Sequence, residues 1–539
     1  MASPKRILLL TNSEHGQANV FLAVSHALLT LPPSDPHHQD VHLHFASFTP
    51  IAPSVTSTSS HALSSSPSPS STPITFHPIR GIPMHRAWSR PDFQPENDGT
   101  RHAQGLLTAW HKMQVLLRVT LPWSGPEFME IFDSVVDIIR RVNPHVVAVD
   151  PAFAPALTAV RHLGVRYVVL SPNTIKDFAV PFQPNLEALW RFPCVGSAMP
   201  FPIPWRYVPL NVLLVVVALL AGLFDGHRRR LGKYVRLHSR SSGGSGGGAT
   251  LTTLSELSLG LPDSGVKVLV ANRLALEFPL KVVPRHIVPC GPIVRPARGV
   301  GEVDPELAAW IRGGKTVYVN LGTHVRMSEG SAVEMATGLR MLLDHVRGAA
   351  LGEKKVQGLR VLWKLAMEEG EEGWEKSRVY SILGRDVEDG AVRIVRWIEP
   401  EPTAVLAEEN VVCAVHHGGA NSFLEAASAG IPQVVLPVWM DTFDFARRVE
   451  LLGIGRWGNG MSNRAKTPWG RELGNVLIDM LLGEQSTQIR DKAQELARLC
   501  NQNGGGRVIA AKMILKEIGE PVFDSIQDDD VLGQSSGVE

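Results

Sequence analysis

The sequence predicts an α/β protein built from two doubly wound, parallel-sheet domains that face each other across an interdomain cleft. Short apolar segments with the composition of buried strands alternate with helical segments along the whole chain. They form two series, separated by a stretch rich in proline and glycine at residues 282–306. A chain of 539 residues also exceeds the usual size of one hydrophobic core. Parallel sheets bind ligands beyond the carboxyl ends of their strands, so two facing domains would place a ligand between them.

The strand segments of each series can be read directly from the sequence. They are RILLL (6–10), HVVAVD (145–150), RYVVLSP (166–172) and VKVLVAN (266–272) in the first half, then TVYVNLGT (316–323), LRVLWKLA (359–366), VRIVRW (392–397), VVCAVHH (411–417) and PQVVLPV (432–438). We therefore predict an N-terminal domain at 1–284, a linker at 285–305 and a C-terminal domain at 306–500. A helix at 501–520 is expected to pack back towards the N-terminal domain, and the acidic tail 521–539 to be disordered.

Two low-complexity segments interrupt the pattern. Residues 54–73 are rich in serine and proline, and residues 239–250 are rich in glycine and serine. Such compositions bury too little apolar surface to offset the entropy lost on ordering. Both segments are predicted to be mobile loops.

Composition and charge exclude some classes of protein. A net charge of +1 argues against a nucleic-acid partner held by phosphate neutralisation. The four cysteines are scattered, which fits a reducing compartment and makes a zinc site improbable. The N-terminus lacks the apolar core of a signal peptide and reads as a first strand. These features predict a cytoplasmic protein.

One apolar segment complicates that localisation. Residues 207–224 carry no charge, and the basic cluster HRRR (227–230) follows closely. The length is borderline for a membrane span. Three interpretations stay open: a helix that is internal or lines a ligand pocket, a helix in peripheral contact with a membrane, and a true span. A span would separate two parts of the chain that we expect to build one site.

The stretch VHHGGANSFLE (415–425) has the pattern of a phosphate-binding turn. An apolar strand precedes it, and Asn421, Ser422 and Glu425 mark the start of a helix. Unpaired amides and the positive end of the helix dipole at such a turn suit a phosphate. An ordinary β–α turn would have a similar pattern, so this stretch alone does not distinguish a phosphate site from such a turn.

The second half resembles the nucleotide-binding domain of the UDP-glycosyltransferases that modify small lipophilic molecules, family 1 of the GT-B fold, and in particular its fungal members. The resemblance rests on an ordered set of segments that covers most of residues 285–518: PCGPI (289–293), WIRGGKTVYVNLGT (310–323), VRWIEPEPTAVL (395–406), HGGANSFLEAASAGIPQVVLPVWMDTFDFARRV (417–449) and NQNGGGRVIAAKMI (501–514). It is weaker in 1–284, where residues 146–174 carry most of it. The family fold consists of two facing Rossmann-like domains with the donor and acceptor between them.

The resemblance implies a donor site for a UDP-sugar, used as a co-substrate, with no metal and no cofactor. Charge develops on the leaving diphosphate, and a helix N-terminus, turn amides, an imidazole and hydroxyls would neutralise it. The matching positions are Thr323, His417, Gly419, Asn421 and Ser422 for the diphosphate, Trp397 for stacking on uracil, Glu425 for the ribose hydroxyls, and Asp441 with Thr442 for the sugar. Thr442 stands where the family often has glutamine, and the 20 positions between Trp397 and His417 exceed the common spacing.

The position of the catalytic base departs from the family pattern. The resemblance implies a histidine after the first strand, held by a carboxylate, which would take the proton of the acceptor. When the loop is matched to the family pattern without gaps, Gln17 occupies the position of the base. His15 lies two residues earlier. We predict His15 as the base and Asp150 as its carboxylate partner. In the alternative interpretations, His15 is an ordinary loop histidine and Asp150 caps the following helix.

Together these features predict an inverting, metal-independent glycosyltransferase. It would move a hexose from a UDP-sugar to a hydroxyl or carboxyl of an apolar small molecule such as a terpenoid, sterol or polyketide. The alternative is a non-catalytic protein that binds a nucleotide sugar and activates another enzyme. This alternative stays open because Gln17, at the position of the base, cannot accept a proton.

Overall fold

The structure is a computed structural model. It describes residues 4–66, 72–90, 117–239, 247–259, 265–323, 325–349, 358–368, 373–465 and 467–520. The predicted disordered tail, residues 521–539, lies outside the described residues.

Two all-parallel sheets organise the chain. The first has the order β3-β2-β1-β4-β5-β6-β7 and the second the order β10-β9-β8-β11-β12-β13. The strands are β1 Lys5–Leu10, β2 Val41–Ser47, β3 Thr75–Pro78, β4 Val146–Val149, β5 Tyr167–Ser171, β6 Val268–Val270 and β7 Ile287–Pro289, followed by β8 Thr316–Asn320, β9 Arg360–Lys364, β10 Val392–Val395, β11 Val411–His416, β12 Gln433–Val435 and β13 Gly455–Trp457. In each sheet the order reverses beside the first strand, which makes the domain doubly wound. The predicted fold class is confirmed.

Helices cover both faces of each sheet, as the continuous apolar strands require. In the N-terminal part they are α1 His15–Thr30, α2 Ala52–Ser65, α3 Met84–Trp88, α4 Gly125–Val142, α5 Ala154–Leu163, α6 Ile175–Ala179, α7 Glu187–Trp190, α8 Val208–Leu223, α9 Gly226–His238 and α10 Leu254–Ser258. In the C-terminal part they are α11 Val300–Val303, α12 Pro305–Arg312, α13 Glu329–Ala349, α14 Arg378–Glu388, α15 Pro402–Leu406, α16 Ala420–Ala429, α17 Thr442–Leu452, α18 Gly460–Ala465, α19 Gly470–Leu482, α20 Ser486–Cys500 and α21 Gly506–Lys516.

The predicted linker begins too early. Residues 287–289 form β7, the last strand of the first sheet, in which Ile287 pairs with Val268. The N-terminal domain therefore extends past residue 284 and includes this strand. The strand is only three residues long and ends in proline, which an edge position tolerates because its amide is not needed there. This brevity and the surrounding prolines obscured it in the sequence.

The serine-rich segment 54–73 is not a free loop over its described first part. Residues 52–65 form α2, which begins at a proline in its first turn and packs against α1. Val55 and Ala62 are buried in the core, and the Ser59 hydroxyl accepts a hydrogen bond from the Ile74 amide at 3.0 Å. The helix forms because these small and apolar residues recur on one face. Residues 67–71 lie outside the described part.

We expect Val55→Ala to lower the free energy of unfolding by roughly 1–3 kcal/mol, because it removes fully buried methyl groups from the α1–α2 contact. Thr56→Ala, on the exposed face of the same helix, is the matched control and should change stability little. Denaturant unfolding of both variants measures the difference. Equal stability of the two variants would mean that α2 does not contribute to the folded core.

The glycine-rich segment 239–250 is anchored at both described ends. Ser239 is buried, and its hydroxyl accepts a hydrogen bond from the amide of Ala249, also buried, at 2.6 Å. The ends of this segment are therefore packed rather than mobile, and residues 240–246 lie outside the described part.

The apolar segment 207–224 forms α8, which is largely exposed rather than internal. It lies between β5 and β6, which are hydrogen-bonded neighbours in one sheet. A single membrane crossing at α8 would separate these two strands, so the fold argues against a true span.

The two domains meet through ion pairs and through the last helix. Lys176 of α6 pairs with Asp444 of α17, and Glu277 pairs with Arg448 of the same helix. All four side chains are buried. Helix α21 packs against α1 of the first domain. The two domains are thus joined by buried ion pairs and by a helix–helix contact.

Candidate active site

A large cleft separates the carboxyl ends of the two sheets. Its volume is about 2130 Å³, and residues of both domains line it. Most of the predicted site residues are among them: His15, Thr323, Trp397, His417, Gly419, Asn421, Ser422, Glu425 and Asp441. Asp150 and Thr442 are not.

The turn between β11 and α16 is shaped around one imidazole. A Cβ atom at Gly419 would lie 2.5 Å from Nε2 of His417, and one at Gly322 would lie 2.8 Å from its Cε1. Gly418 has a φ of +86°, a conformation that favours glycine. Glycine at these positions therefore lets the ring of His417 sit at the mouth of the turn, where it faces the cleft.

The neighbouring histidine, His416, stabilises this turn by hydrogen bonds. His416 is buried, its Nε2 lies 2.9 Å from Oε1 of Gln433, and its Nδ1 accepts a hydrogen bond from the Gly418 amide. Burial lowers the pKa of His416 to about 4, so the ring is neutral at physiological pH. His416 is a structural residue, and His417 is the one that reaches the cleft.

The N-terminus of α16 also touches the opposite domain. Nδ2 of Asn421 donates to the backbone carbonyls of His15 and Gly16, at 3.2 and 3.3 Å. Ser422 follows on the same turn and lines the cleft. The predicted diphosphate cradle and the predicted base loop are therefore adjacent across the cleft.

A lysine that the sequence reasoning missed lies beside the predicted uracil platform. The indole of Trp397 is 56% exposed, and Nζ of Lys364 lies 4.1 Å from its ring centroid. The same Nζ donates to the Gly322 carbonyl at 3.3 Å, and burial lowers the pKa of Lys364. Thr323 follows Gly322 on this turn. Lys364 ends β9, so the rule that ligands bind at strand carboxyl ends could have identified it.

The predicted ribose carboxylate sits in an acidic environment. Burial and, to a smaller extent, the nearby Glu401 raise the pKa of Glu425 to about 7, against the opposing effect of Arg295. Arg295 and Glu401 form an ion pair at 2.9 Å. Glu401 belongs to the lengthened loop after Trp397, and this loop therefore brings a second carboxylate to the ribose end of the cleft.

Thr442 does not reach the cleft, so its assignment to the sugar is corrected. Its side chain is fully buried. Its hydroxyl accepts hydrogen bonds from the Val438 and Trp439 amides at 3.2 and 3.0 Å and donates to the Trp439 carbonyl. Threonine closes this turn locally, whereas the longer glutamine common in the family would extend beyond it.

The residues around Asp441 come from both domains. Desolvation inside the cleft and the nearby Asp177 and Asp444 raise the pKa of Asp441, although the residue keeps exposed surface, while Lys176 lowers it. Lys176 is paired with Asp444. Asp177, Lys176 and Asp444 all line the cleft, and the sequence reasoning did not identify them. Only the packing of α6 against α17 brings them to this end.

His15 begins α1 and lines the cleft from the N-terminal side. Partial desolvation in the cleft, where the residue keeps exposed surface, and the nearby Arg295 lower its pKa from the usual 6.5, against opposing effects of Glu401, Asn19 and Glu14. The imidazole is therefore neutral at physiological pH, the form that can accept a proton.

Asp150 makes its hydrogen bonds to residues other than that histidine. It is fully buried at the end of β4, where it accepts hydrogen bonds from the Thr11 hydroxyl at 3.1 Å and the Ala152 amide at 2.8 Å. Burial raises its pKa to about 6. Among the described residues no hydrogen bond joins Asp150 to His15. Its bond to Ala152 shapes the turn that leads into α5.

A different carboxylate–imidazole pair stands beside the cleft. Oε1 of Glu14 lies 2.9 Å from Nδ1 of His85 and also accepts from the His85 amide at 3.2 Å. Glu14 is almost buried and lines the cleft, as do Met84 and Trp88 on the helix that carries His85. No motif in the sequence pointed to this pair, because its members are 71 residues apart.

Comparison with known proteins gives consistent results. Residues 385–501 match the family described as erythromycin biosynthesis protein CIII-like, C-terminal domain. The glycosyltransferase sdnJ of Sordaria araneosa is 30% identical over 527 residues, which cover 94% of this chain and 97% of that protein. The UDP-glycosyltransferase stmC of Aspergillus ustus is 29% identical over 198 residues, 35% of each chain.

Solved structures show the same fold. TcCGT1 in complex with UDP superposes with a TM-score of 0.59 at 17% identity, covering 96% of this chain and all of that one. UGT2 of Phytolacca americana, complexed with UDP-2fluoro-glucose and pterostilbene, gives a TM-score of 0.56 at 15% identity and the same coverage.

Two facing doubly wound domains with a shared cleft define the GT-B class of glycosyltransferases. Because the similarity to the Sordaria protein spans nearly the whole of both chains, this protein belongs to the family 1 UDP-glycosyltransferases. The family resemblance predicted from the sequence is confirmed.

Proposed function

We propose that the protein is an inverting, metal-independent hexosyltransferase that uses a UDP-sugar to modify a hydroxyl or carboxyl of an apolar small molecule. The observation that carries this proposal is the meeting of His15 and the α16 N-terminus across one cleft. The sequence relative sdnJ is named a glycosyltransferase and stmC a UDP-glycosyltransferase, which supports the same class of reaction.

The donor would lie against the C-terminal domain. Uracil stacks on the exposed face of Trp397, the ribose hydroxyls donate to Glu425, and the diphosphate faces His417, Ser422 and Thr323. The amides at the start of α16 add the positive end of the helix dipole. Nζ of Lys364 would supply positive charge between the uracil and phosphate positions. These groups together take the place that a metal has in other transferases.

The reaction proceeds as a single displacement. Nε2 or Nδ1 of neutral His15 accepts the proton of the acceptor hydroxyl as its oxygen attacks the anomeric carbon of the sugar. The bond from that carbon to the diphosphate oxygen breaks on the opposite face, and the electron pair leaves with UDP. Attack opposite to the leaving group inverts the anomeric configuration. The negative charge formed on UDP is stabilised where His417 and the α16 amides face it.

The acceptor would occupy the apolar end of the cleft. Its walls there are side chains of the N-terminal domain: Val180, Leu186, Leu189, Val195, Val215 and Leu219. A pocket of this character suits a terpenoid, sterol or polyketide. All four cysteines are unpaired thiols, which supports a reducing, cytoplasmic location.

The sugar end favours an uncharged hexose. Asp177, Asp441 and Asp444 line the cleft together with Lys176, and Asp444 already pairs with that cation. Carboxylates accept hydrogen bonds from sugar hydroxyls and repel a uronate.

The experiment is incubation of the full chain with UDP-glucose, UDP-galactose and UDP-glucuronate and a panel of hydroxylated lipophiles, with products identified by mass spectrometry. We expect transfer from an uncharged hexose donor, no transfer from the glucuronate, β-configured product from an α-configured donor, and unchanged turnover in EDTA. Loss of turnover in EDTA that magnesium restores would contradict the metal-independent reaction. Tight UDP-sugar binding without turnover on any acceptor would favour the alternative of a non-catalytic partner protein.

A further inference from the structure

We propose that α8 and α9 form a membrane-docking surface through which the acceptor enters the cleft from an anionic lipid bilayer. This proposal rests on the proposed function, because it assigns a source to the lipophilic acceptor. Helix α8 is the feature that carries it: among the described residues, Trp205–His238, which contains α8 and α9, is the one helical stretch long and apolar enough to cross a membrane, and little of its apolar part is buried.

The exposed face of α8 is continuous and apolar. Leu213, Val216, Leu220 and Leu223 recur at helical spacing, and each is at least 40% exposed. Phe224, at the end of the helix, is 63% exposed. Soluble surfaces seldom carry contiguous large apolar side chains in such number, and a face of this kind indicates a partner.

Aromatic residues stand at the start of the same helix. Trp205 is 78% exposed and stacks on Trp190 with ring centroids 6.0 Å apart. The guanidinium of Arg206 lies 4.9 Å from the ring centroid of Tyr207. Tryptophan and tyrosine beside a cation are typical of the headgroup level of a bilayer, where one end of the side chain is apolar and the other is wet.

The positive charge of α9, beside this apolar face, favours an anionic lipid bilayer as the partner. Helix α9 contains no acidic residue, and Arg229, Arg230, Lys233 and Arg236 on it are exposed. Arg229 reaches back to the end of α8, where its side chain donates to the Leu223 carbonyl and lies over the ring of Phe224. A second copy of this chain would bring like charges together, whereas anionic lipid headgroups complement them. The observations therefore favour a bilayer over a dimer.

The same helix reaches the acceptor end of the cleft. Val215 and Leu219 line the cavity, and Leu219 is 52% exposed and follows Val216 and precedes Leu220 of the apolar face. Leu186 and Val195, which line the cavity near this helix, are exposed as well. A lipophilic molecule dissolved in the bilayer would thus pass from an apolar surface into an apolar pocket without crossing water.

The test is co-sedimentation of the full chain with phosphatidylcholine vesicles, with and without phosphatidylserine. We expect binding to the anionic vesicles that weakens with salt. Leu220→Gln/Leu223→Gln/Phe224→Gln should lower partitioning at least tenfold, whereas Leu451→Gln, an exposed leucine on α17, should not. Arg230→Gln/Lys233→Gln/Arg236→Gln should lower partitioning to anionic vesicles by about fivefold for each cation removed and make it less dependent on salt, with Arg229 left in place. None of these residues lines the cleft.

A second readout separates this proposal from the proposed function. Turnover of a water-soluble phenol, measured without vesicles, should be the same in all variants, whereas kcat/KM for an acceptor dissolved in vesicles should fall only in the two triple variants. Absence of vesicle binding, or native partitioning of the apolar triple variant, overturns the docking surface even if the transferase activity is confirmed. Self-association that the apolar triple variant abolishes, without vesicle binding, would assign the face to a second copy and overturn it as well.

Discussion

His15→Ala should lower turnover of an aliphatic alcohol acceptor by about 10²–10⁴-fold, the usual range for loss of a general base. The reason is the position of His15 in the cleft and its lowered pKa, which keeps the imidazole neutral and able to accept a proton. UDP affinity should survive, because Asn421 of the donor domain bonds to the backbone of this loop and not to the imidazole. Steady-state kinetics and calorimetry of the same preparation measure both quantities.

The pH dependence supplies an independent check on the base. A base acts in its unprotonated form, so the rate is lost as pH falls through its pKa. Because the pKa of His15 is lowered, the acid limb of the kcat/KM profile for the acceptor should lie below pH 6.5 when UDP-sugar is saturating, so that protonation of Glu425 does not contribute. The alanine variant should lack this limb. A phenolic or carboxylic acceptor needs less help with its proton, so the loss of rate should be smaller with such acceptors.

Two further variants decide how the base is supported. Asp150→Asn tests the predicted carboxylate partner, which in this structure bonds to Thr11 and Ala152 instead of His15. We expect a smaller loss than for His15→Ala, transmitted through the loop that Thr11 begins. His85→Ala tests the pair that Glu14 forms. Native turnover in His15→Ala combined with a large loss in His85→Ala would move the role of base to His85.

The sequence predicted the sheets better than their edges. The central strands β1, β4, β8 and β11 are continuous apolar runs, because helices cover them on both faces. The strands that were missed, β2, β3, β7 and β13, either alternate with polar residues or are only three or four residues long. Periodicity is weak in such segments, and only pairing with a neighbour defines them.

The part of the site that lies in one sequence motif could be predicted. The part formed by residues from two distant segments could not. The β11–α16 turn carries its histidine, glycines and helix start in one stretch, and the structure places them at the cleft. Asp177 and Lys176 meet Asp441 only because α6 and α17 pack together, and Glu14 meets His85 across 71 positions. At Thr442 the prediction from the motif was wrong. The family position was matched, but the threonine side chain is shorter than glutamine and bonds to the backbone of its own turn.

The second large effect is expected at the donor site. His417→Ala and Glu425→Gln should each weaken UDP-glucose binding by roughly 1–3 kcal/mol, the cost of a charge-assisted hydrogen bond in a partly buried site. Glu409→Gln, an exposed acidic residue outside the cleft in the same domain, is the matched control and should bind normally. Thr442→Ala should leave sugar recognition intact if the turn stays folded, because its hydroxyl faces the Val438 and Trp439 amides.

Glu425 should also make donor binding depend on pH. Its pKa is raised to about 7, so near neutral pH part of the free protein carries a proton there. Ribose hydroxyls donate to the carboxylate and favour its ionised form, which lowers this pKa in the complex. UDP-glucose has no phosphate group that titrates in this range, so binding near pH 7 should release a fraction of a proton from the protein, and affinity should fall as pH drops below 7. Calorimetry in buffers of different ionisation enthalpy measures the release, which Glu425→Gln should abolish and His417→Ala should retain. Unchanged affinity and unchanged proton release in Glu425→Gln would contradict its assignment to the ribose, and Glu401, on the lengthened loop beside it, would then be the carboxylate to test.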